Sequence, residues 1–361
     1  MNILTFIIIS VLYSYGFLAL YITYQAKKKG EKGAFINNLA NSLVLIVSIS
    51  LNIIIVNFLN ISNLSLIIFP FDIFIVLFII FFIPLFFLSI FREKKKIKLK
   101  NDSWRKYYIP VLKELPFKYE IYRKITHLLV LSIIFFYFTL GFFVQNFFVY
   151  VLDSLPEFIS DLFYSLYNIE SDKMIFTQYL VVSLVSIALI GLLTADFVRI
   201  LKPEFYPLKP VNLILRPKEL RMRLGPHISM GIGCFSIIIL FGLFQPIGPL
   251  IICVSMSMAI FSDVSSNLIG RKFGMKKIRN TNKTYEGLFT GIIVAFFSGY
   301  LSLVIINPII SISPLSFVVI PILGALIIGF IDYLNLEIDD NLLYNFVVTL
   351  ILFFISIIFQ F

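Results

Sequence analysis

Charge is what this 361-residue chain has least of: 14% of its residues are Asp, Glu, Lys or Arg, against about 25% in an average soluble domain. Residues 33–71, 224–262 and 287–331 contain no charged residue at all. A membrane helix needs roughly 20 apolar residues, so each stretch is long enough for most of two spans and a short loop. The composition therefore excludes an ordinary soluble domain and predicts a multi-pass membrane protein.

Cysteine and leader-peptide features are also scarce. The two cysteines, Cys234 and Cys253, lie in apolar stretches and have no metal-ligand spacing. Residues 1–24 lack a basic start and a small-residue cleavage site, so they are interpreted as a retained first span. No internal repeat is visible.

The apolar runs predict an all-α membrane bundle of about ten transmembrane helices. The third span contains Pro70 and Pro84, which can kink or split it. Residues 1–120 form a three-span N-terminal region with no recognisable site, and residues 121–361 form a second membrane domain. The predicted spans are 3–25, 36–59, 64–91, 124–146, 174–200, 226–244, 248–270, 285–307, 314–335 and 341–360.

The excess of basic residues predicts the orientation. With the N-terminus outside, the inside loops and their adjoining span ends hold 29 of the 30 Lys and Arg residues, and Lys173 is the exception. Cytoplasmic loops carry this excess. The net charge of +10 thus reflects topology and attraction to anionic lipids, and nucleic-acid binding is not expected. The inside loops are 26–35, 92–123, 201–225, 271–284 and 336–340.

The outside segment 147–172 mixes apolar residues with acidic ones at a spacing near four. This spacing predicts an amphipathic helix on the outer membrane interface.

Two polar clusters lie at predicted inner span ends. Arg123 and His127 are four residues apart, so they share one face of a helix. Asp196 lies inside the fifth span, where a carboxylate is costly unless it is paired, and Arg199 can pair with it. Each cluster also fits a purely structural role at a span end.

The segment 263–287 carries the strongest sign of a site. Asp263 lies before the inner end of the seventh span, and a basic loop containing Gly270 and Gly274 follows. Glycines let backbone N–H groups approach phosphate oxygens. Lysine and arginine neutralise a polyphosphate, and carboxylates hold a bridging cation. The pattern is not a Walker A loop, but it favours a phosphate-rich ligand.

The segment 337–341 is acidic, unlike the other inner flanks. It contains Asp339 and Asp340, and Asp332 precedes it near the end of the ninth span. Such carboxylates facing a basic loop can bind Mg²⁺ or deprotonate a hydroxyl. Charge balance with the loop is the alternative interpretation.

Together, these clusters resemble the dolichol kinase and phytol kinase branch of the membrane CTP-transferase family, over about residues 120–361. Two positions depart from the family pattern: Ser266 replaces an Ala, and Asp332 stands where a Glu is expected. The residues that carry the resemblance are Arg123, Lys124, His127, Asp263, Ser266, Gly270, Gly274, Lys283, Thr284, Glu286, Gly287, Asp340 and Asn341, with weaker matches at Asp196, Arg199, Arg216 and Glu219.

The resemblance implies a CTP-dependent kinase that phosphorylates a membrane polyprenol at the cytoplasmic face, with CTP as phosphoryl donor and Mg²⁺ as cofactor. The implied catalytic residues are Arg123, His127, Asp340 and Asn341, with His127 or Asp340 taking the proton. The implied Mg²⁺ ligands are Asp263, Glu286 and Asp340. The implied CTP-binding residues are Asp263, Ser266, Gly270, Arg271, Gly274, Lys283, Thr284, Glu286 and Gly287, of which Arg271 and Lys283 hold phosphates.

Other functions stay open at this point. A phosphatidate cytidylyltransferase belongs to the same wider family, but its Lys-Asp and His-Gly-Gly-like terminal pattern is missing. A transporter fits ten spans, but transporters place polar sites near the bilayer midplane and often show inverted repeats. A scaffold subunit without chemistry is the third alternative.

Overall fold

The computed structural model describes residues 3–58, 66–99, 115–166, 173–279 and 281–358. In this part of the chain the protein is all-α, as predicted, and the only β-type pairing is an isolated bridge between Lys277 and Thr284. The predicted span limits 59, 64 and 360, and the loop residues 100–114 and 167–172, lie outside the described residues.

Fourteen α-helices follow one another along the described residues. They are α1 (Ile3–Lys28), α2 (Lys32–Phe58), α3 (Phe71–Leu99), α4 (Phe117–Leu128), α5 (Ser132–Phe138), α6 (Leu140–Asp153), α7 (Glu157–Leu166), α8 (Lys173–Leu201), α9 (Pro226–Phe241), α10 (Ile247–Phe273), α11 (Tyr285–Ile306), α12 (Ser316–Leu334), α13 (Asp340–Leu343) and α14 (Thr349–Ile358). Short 3₁₀ turns are formed by Leu129–Leu131, Pro203–Phe205 and Lys209–Ile214, and Tyr344–Val348 is a π-helical turn between α13 and α14.

Eight described helical segments are long and apolar enough to cross a membrane, which gives a multi-pass helical membrane bundle. They are α1, α2, α3, α8, α10, α11, α12 and the continuous segment Asp340–Ile358.

Two of the ten predicted spans have a different form. The predicted span 124–146 is divided among α4, a 3₁₀ turn, α5 and α6. The predicted span 226–244 is the 16-residue helix α9, and most of its side chains are buried inside the bundle. A helix that neighbouring helices enclose does not need the full length of a lipid-exposed span. The helix α4 instead carries charged residues that are buried against protein, namely Glu120, Arg123 and Lys124.

The helix α10 forms the centre of the bundle. In its most apolar window, 83% of the residues are buried, whereas the share in α3 is 11%. The helices α9, α11, α12 and α14 all contact α10, and α3 instead packs mainly on α8. A polar residue on α10 is therefore held away from lipid and close to several other chain segments.

Small residues let α11 pack closely against α10. A Cβ atom at Gly287 would lie 2.7 Å from the carbonyl oxygen of Ser266 and 3.1 Å from the Cα atom of Gly270. Gly291, one turn further along α11, has a similar role, because its Cβ atom would lie 3.0 Å from that of Ser266. Small residues spaced by four are a common means of close helix contact in membranes.

We call the end of the bundle that carries the basic loop 271–284 and the acidic segment 337–341 the basic end. Local capping fixes where the helices of this end begin. The Thr284 hydroxyl accepts a hydrogen bond from the Gly287 backbone N–H and so caps α11, and the Asp339 side chain caps α13 by accepting from the Asn341 N–H. Proline at the first position of α9 suits a helix start, and the preceding Gly225 N–H donates to Asp196. The helix α7 lies within the predicted amphipathic segment 147–172, and none of its residues is buried.

We predict that Gly287→Ala destabilises the protein by roughly 1–3 kcal/mol, because the added methyl group meets the α10 backbone. Gly191→Ala on α8 is the matched control, since the atom nearest to its Cβ is a Phe78 ring carbon at an ordinary 3.5 Å. Thermal unfolding of the purified protein in detergent measures both. Equal melting temperatures for the two variants would contradict the close packing of α10 and α11.

Candidate functional site

The centre of the candidate site is the carboxylate of Asp263 on α10. One of its oxygens, Oδ2, accepts a hydrogen bond from Lys124 Nζ at 2.5 Å and lies 3.2 Å from His127 Nδ1. Lys124 and His127 are one turn apart on α4, and all three residues are buried. The two motifs that the sequence separates by more than a hundred residues are therefore in direct contact.

Arg123, the other basic residue of this motif, points to different partners. Its guanidinium binds Glu120 on the preceding turn of α4 and Glu219, at 2.5 and 3.3 Å. Arg123 and His127, which were predicted to share one helix face, thus bind different partners in the folded protein. Lys124 and His127 share Asp263, and Arg123 joins α4 to the segment after α8.

Glu120 is the common partner of three arginines. Besides Arg123, Arg216 lies 2.9 Å from its Oε1 atom, and Arg271 lies 3.5 Å from its Oε2 atom. Burial alone would raise the pKa of Glu120, but the nearby Arg123 and Arg216 outweigh burial and hold that pKa below its usual value. Glu120 therefore stays ionised and forms ion pairs with arginines from three parts of the chain.

The segment between α8 and α9 is held by the second predicted cluster. Asp196 and Arg199 form the ion pair that the sequence predicts, with Arg199 Nε 2.5 Å from Asp196 Oδ1. Arg199 also donates to the backbone carbonyls of Glu219 and Arg223 at 2.7 and 2.8 Å. Both side chains are buried. In this structure the pair positions a loop.

Lys283 lies between two carboxylates, one near the end of α12 and one at the start of α13. Its Nζ atom is 2.8 Å from Asp332 Oδ1 and 2.9 Å from Asp340 Oδ2. Tyr344 donates its hydroxyl to the same oxygen of Asp332 at 2.9 Å. Burial would lower the pKa of Lys283, but Asp340 and Asp332 outweigh it and raise that pKa above its usual value. The ammonium group is therefore charged at neutral pH.

The loop that carries Lys283 folds back on itself. The backbone N–H of Ile278 donates to the Lys283 carbonyl, and the N–H of Tyr285 donates to the Lys276 carbonyl, both at 2.9 Å. Arg279 lies over the Tyr333 ring, with its guanidinium carbon 4.9 Å from the ring centroid. The backbone bonds close the loop on itself, and the contact of Arg279 with Tyr333 holds the loop against the end of α12.

The predicted CTP-binding glycines lie mainly at the helix contact described above. Gly270 and Gly287 face each other across the contact between α10 and α11, and the Ser266 hydroxyl donates to the carbonyl of Asp263 within α10. A Cβ atom at Gly274 would overlap the Thr284 side chain. Their small size thus has a packing reason, whatever ligand the neighbouring loop binds.

The three predicted Mg²⁺ ligands take part in three different contacts. Asp263 binds Lys124 and His127, Asp340 binds Lys283, and the Glu286 carboxylate accepts from the backbone N–H of Lys276 at 3.2 Å. Across the described ranges, no group of three or more His, Cys, Asp or Glu side chains is placed to hold a metal ion. Of the remaining predicted residues, Asn341 donates its side-chain amide to Asp339 at 2.7 Å.

Partly exposed cations surround this buried assembly. The side chains of Arg216, Arg271 and Lys283 are 28, 29 and 25% exposed, whereas their partner Glu120 is fully buried and Asp332 is 10% exposed. The three cations thus reach solvent and Glu120 lies behind them, whereas Asp340 is 28% exposed beside Lys283. Exposed cations of this kind suit an anionic ligand.

Sequence reasoning missed several residues of the site. His227, at the start of α9, packs its ring edge-on to His127 with the centroids 5.4 Å apart, so the two histidines of the chain meet. The Nε2 atom of each ring is buried and has no hydrogen-bond partner among the described residues. Glu120 had a usable signal, because it lies three residues before Arg123 on a helix. Tyr344 had none, because it stands inside an apolar span.

Compared with known proteins, the chain matches no family model, no curated protein and no solved structure. What the site does is therefore inferred from its own residues and their motif resemblance.

We predict that Lys283→Met lowers the free energy of unfolding by roughly 1–3 kcal/mol, because it leaves Asp332 and Asp340 side by side without their cation. Lys277→Met, an exposed lysine in the same loop, is the control and is expected to stay within about 0.5 kcal/mol of the wild type. Unfolding by SDS in mixed micelles gives both values. If Lys283→Met unfolds like Lys277→Met, the bridge between the two carboxylates is not formed.

Proposed function

We propose that the chain is a CTP-dependent lipid kinase that transfers the γ-phosphoryl group of CTP to the hydroxyl of a membrane polyprenol. The contact of Lys124 and His127 with Asp263 is the observation that carries the proposal. It joins two motifs, at residues 123–127 and 263–274, through which the sequence resembles the dolichol kinase and phytol kinase branch. Buried ionisable groups within a membrane bundle generally have a functional reason.

We infer that the basic end of the bundle faces the cytoplasm and that the N-terminus lies outside, because Lys and Arg accumulate on the cytoplasmic side. The full count of ten spans requires the broken region Phe117–Asp153 and the short helix Pro226–Phe241 to cross as well. Contacts between distant chain segments support this arrangement. Lys124 meets Asp263, and Lys283 meets Asp332, so the ends of α4, α10 and α12 belong to one side.

CTP is proposed to bind from the cytoplasm at the partly exposed cations. Arg271 and Lys283 are expected to hold its phosphates, and Arg216 lies beside Arg271 through their shared partner Glu120. Arginine suits phosphate because its planar group forms two parallel hydrogen bonds. Phosphoryl transfer depends mainly on positioning and charge neutralisation, which this set of residues can supply.

The carboxylates of Asp332 and Asp340 fit a Mg²⁺–nucleotide complex better than the predicted set of three. Their oxygens converge on one cation, the Lys283 ammonium. Proteins commonly hold Mg²⁺ with one or two carboxylates and the substrate phosphates. When bound, Mg²⁺ would neutralise charge on the phosphates during transfer. Lys283 would then be released from the carboxylates to contact a phosphate.

His127 is the better candidate of the two for accepting the hydroxyl proton. Asp263 holds its Nδ1 atom, which orients the ring, and its Nε2 atom has no partner among the described residues. Asp340 is instead engaged by Lys283. A base oriented by a carboxylate through its other nitrogen is a recurring catalytic arrangement. The lipid hydroxyl is proposed to reach Nε2 from the membrane side.

We predict that membranes containing the protein, supplied with Mg²⁺ and polyprenol, form labelled polyprenyl phosphate from γ-labelled CTP. Asp263→Asn should reduce this transfer by ~10²-fold or more, because it misplaces both Lys124 and His127. Asp161→Asn, an exposed acid on α7 at a distance in sequence from every site motif, is the matched control and should retain activity.

Labelled CTP also separates the alternatives. Label reaching lipid only from α-labelled CTP would identify a cytidylyltransferase. No label in lipid from either form, with polyprenol, phytol-like alcohol, diacylglycerol or phosphatidate as acceptor, would refute transferase chemistry.

A further inference from the structure

The second helix carries a buried polar face that an apolar span does not need for membrane insertion. Polar side chains inside a membrane are costly and are retained where they have a partner or a function. From its sequence alone, α2 is expected to be only a lipid-facing span. The buried polar residues of α2 are Asn37, Asn38, Asn41, Ser42, Ser48 and Asn52.

Asn38 holds the segment that leads into α9. Its side-chain amide donates to the carbonyl of Met222 at 2.7 Å, and its Oδ1 atom accepts from the backbone N–H of Leu224 at 2.9 Å. Both polar ends of one side chain are thus bonded to the backbone on either side of Arg223. This arrangement fixes the direction in which the Arg223 side chain leaves the chain.

Arg223 connects α2 to the acidic segment before α13. Its guanidinium donates to the Asn37 Oδ1 atom and the Gly33 carbonyl, both at 3.3 Å, and to the Glu337 carbonyl at 2.9 Å. Only 3% of the residue is exposed. A Cβ atom at Gly33 would lie 2.8 Å from the Glu337 carboxylate, so the start of α2 lies directly against this segment.

The Asn37 Oδ1 atom completes the connection. It accepts from Arg223 and also from the backbone N–H of Asp339, the latter at 2.9 Å. Asp339 caps α13, and the next residue, Asp340, binds Lys283. The Asn37 side-chain oxygen is therefore connected, through the Asp339 backbone, to the Asp340 carboxylate that is proposed to meet the nucleotide.

We propose that Asn37 and Arg223 are positioning residues that hold the segment 337–340, so that the N-terminal membrane region is a structural part of the site. The role at the nucleotide rests on the proposed function, but the contact itself does not. Loss of the Asn37 oxygen releases the Asp339 backbone, the start of α13 moves, and the Asp340 carboxylate no longer converges with Asp332.

The test compares three substitutions in the full-length protein. Asn37→Leu removes the oxygen. Asn37→Asp keeps an acceptor toward Arg223 and Asp339, replaces Nδ2, which has no partner among the described residues, with an oxygen, and adds a negative charge that faces the Arg223 guanidinium. Asn52→Leu is the matched control, because Asn52 is a buried asparagine on the same helix and binds the Ile239 carbonyl, at the end of α2 away from the site.

Hydrogen exchange of peptides spanning residues 336–341 measures the contact without reference to any activity. Asn37→Leu should accelerate exchange at Asp339 by about tenfold, the factor for one lost buried hydrogen bond. Asn37→Asp and Asn52→Leu should leave it unchanged. Unchanged exchange in Asn37→Leu would overturn the proposal even if the protein proves to have another function.

Kinetics with CTP and polyprenol then test the positioning role. Asn37→Leu should raise KM for CTP and lower kcat by ~10–100-fold, with KM for the lipid unchanged and with recovery in Asn37→Asp. A general loss of stability would instead reduce kcat equally in Asn37→Leu and Asn52→Leu. Faster exchange with normal CTP kinetics would refute the positioning role. Absence of transfer in the wild type would refute the proposed function and leave the exchange result standing.

Discussion

The carboxylate of Asp263 is the group on which the arrangement of the basic end depends. It stands on α10, whose apolar window is the most buried among the eight long apolar helices, and an unpaired charge there would cost several kcal/mol. Lys124 and His127 satisfy it, and in doing so they bring α4 against α10. Because α4 also carries Glu120 and Arg123, it binds Glu219 and Arg216 in the segment after α8, and Arg271 on α10 joins the same assembly through Glu120.

The same constraint explains why the site draws on so many chain segments. Within an apolar bundle each buried charge needs a partner, and neighbours on one helix can satisfy only some of them. Arg199 and Asp196 pair within α8 and Arg123 and Glu120 pair within α4, but Asp263 and Lys283 need residues from elsewhere. Small residues between α10 and α11 allow the close packing that brings the Lys283 loop to this end. The fold and the candidate site are thus parts of one pattern of charge pairing.

Much of the bundle could be predicted from the sequence, because apolar runs of membrane length have few alternatives to helix. The division of the predicted fourth span could not, because it depends on burial of α4 against α10. Within the site, Asp263, His127 and Lys283 were identified by type and position. Their pairings were not predicted, because a pairing such as Lys124 with Asp263 links helices whose relative rotation the sequence pattern leaves open.

The glycines and asparagines show a second limit of sequence reasoning. Gly270 and Gly287 fit a phosphate loop by pattern, yet the same small size serves a helix contact that only the three-dimensional packing reveals. Asn37 lies in an apolar span, and its role depends on Asp339, about three hundred residues away. Pattern rules describe neighbours along the chain, whereas these roles come from neighbours in space.

A double-mutant cycle on Lys124 and Asp263 tests the central pairing most directly. The free energy of unfolding in SDS is measured for the wild type, Lys124→Met, Asp263→Asn and the double variant. If the two side chains are in contact, the double variant loses less stability than the sum of the single losses, with a coupling of roughly 0.5–3 kcal/mol. Additive losses would contradict the pairing and, with it, the assembly of the basic end around Asp263.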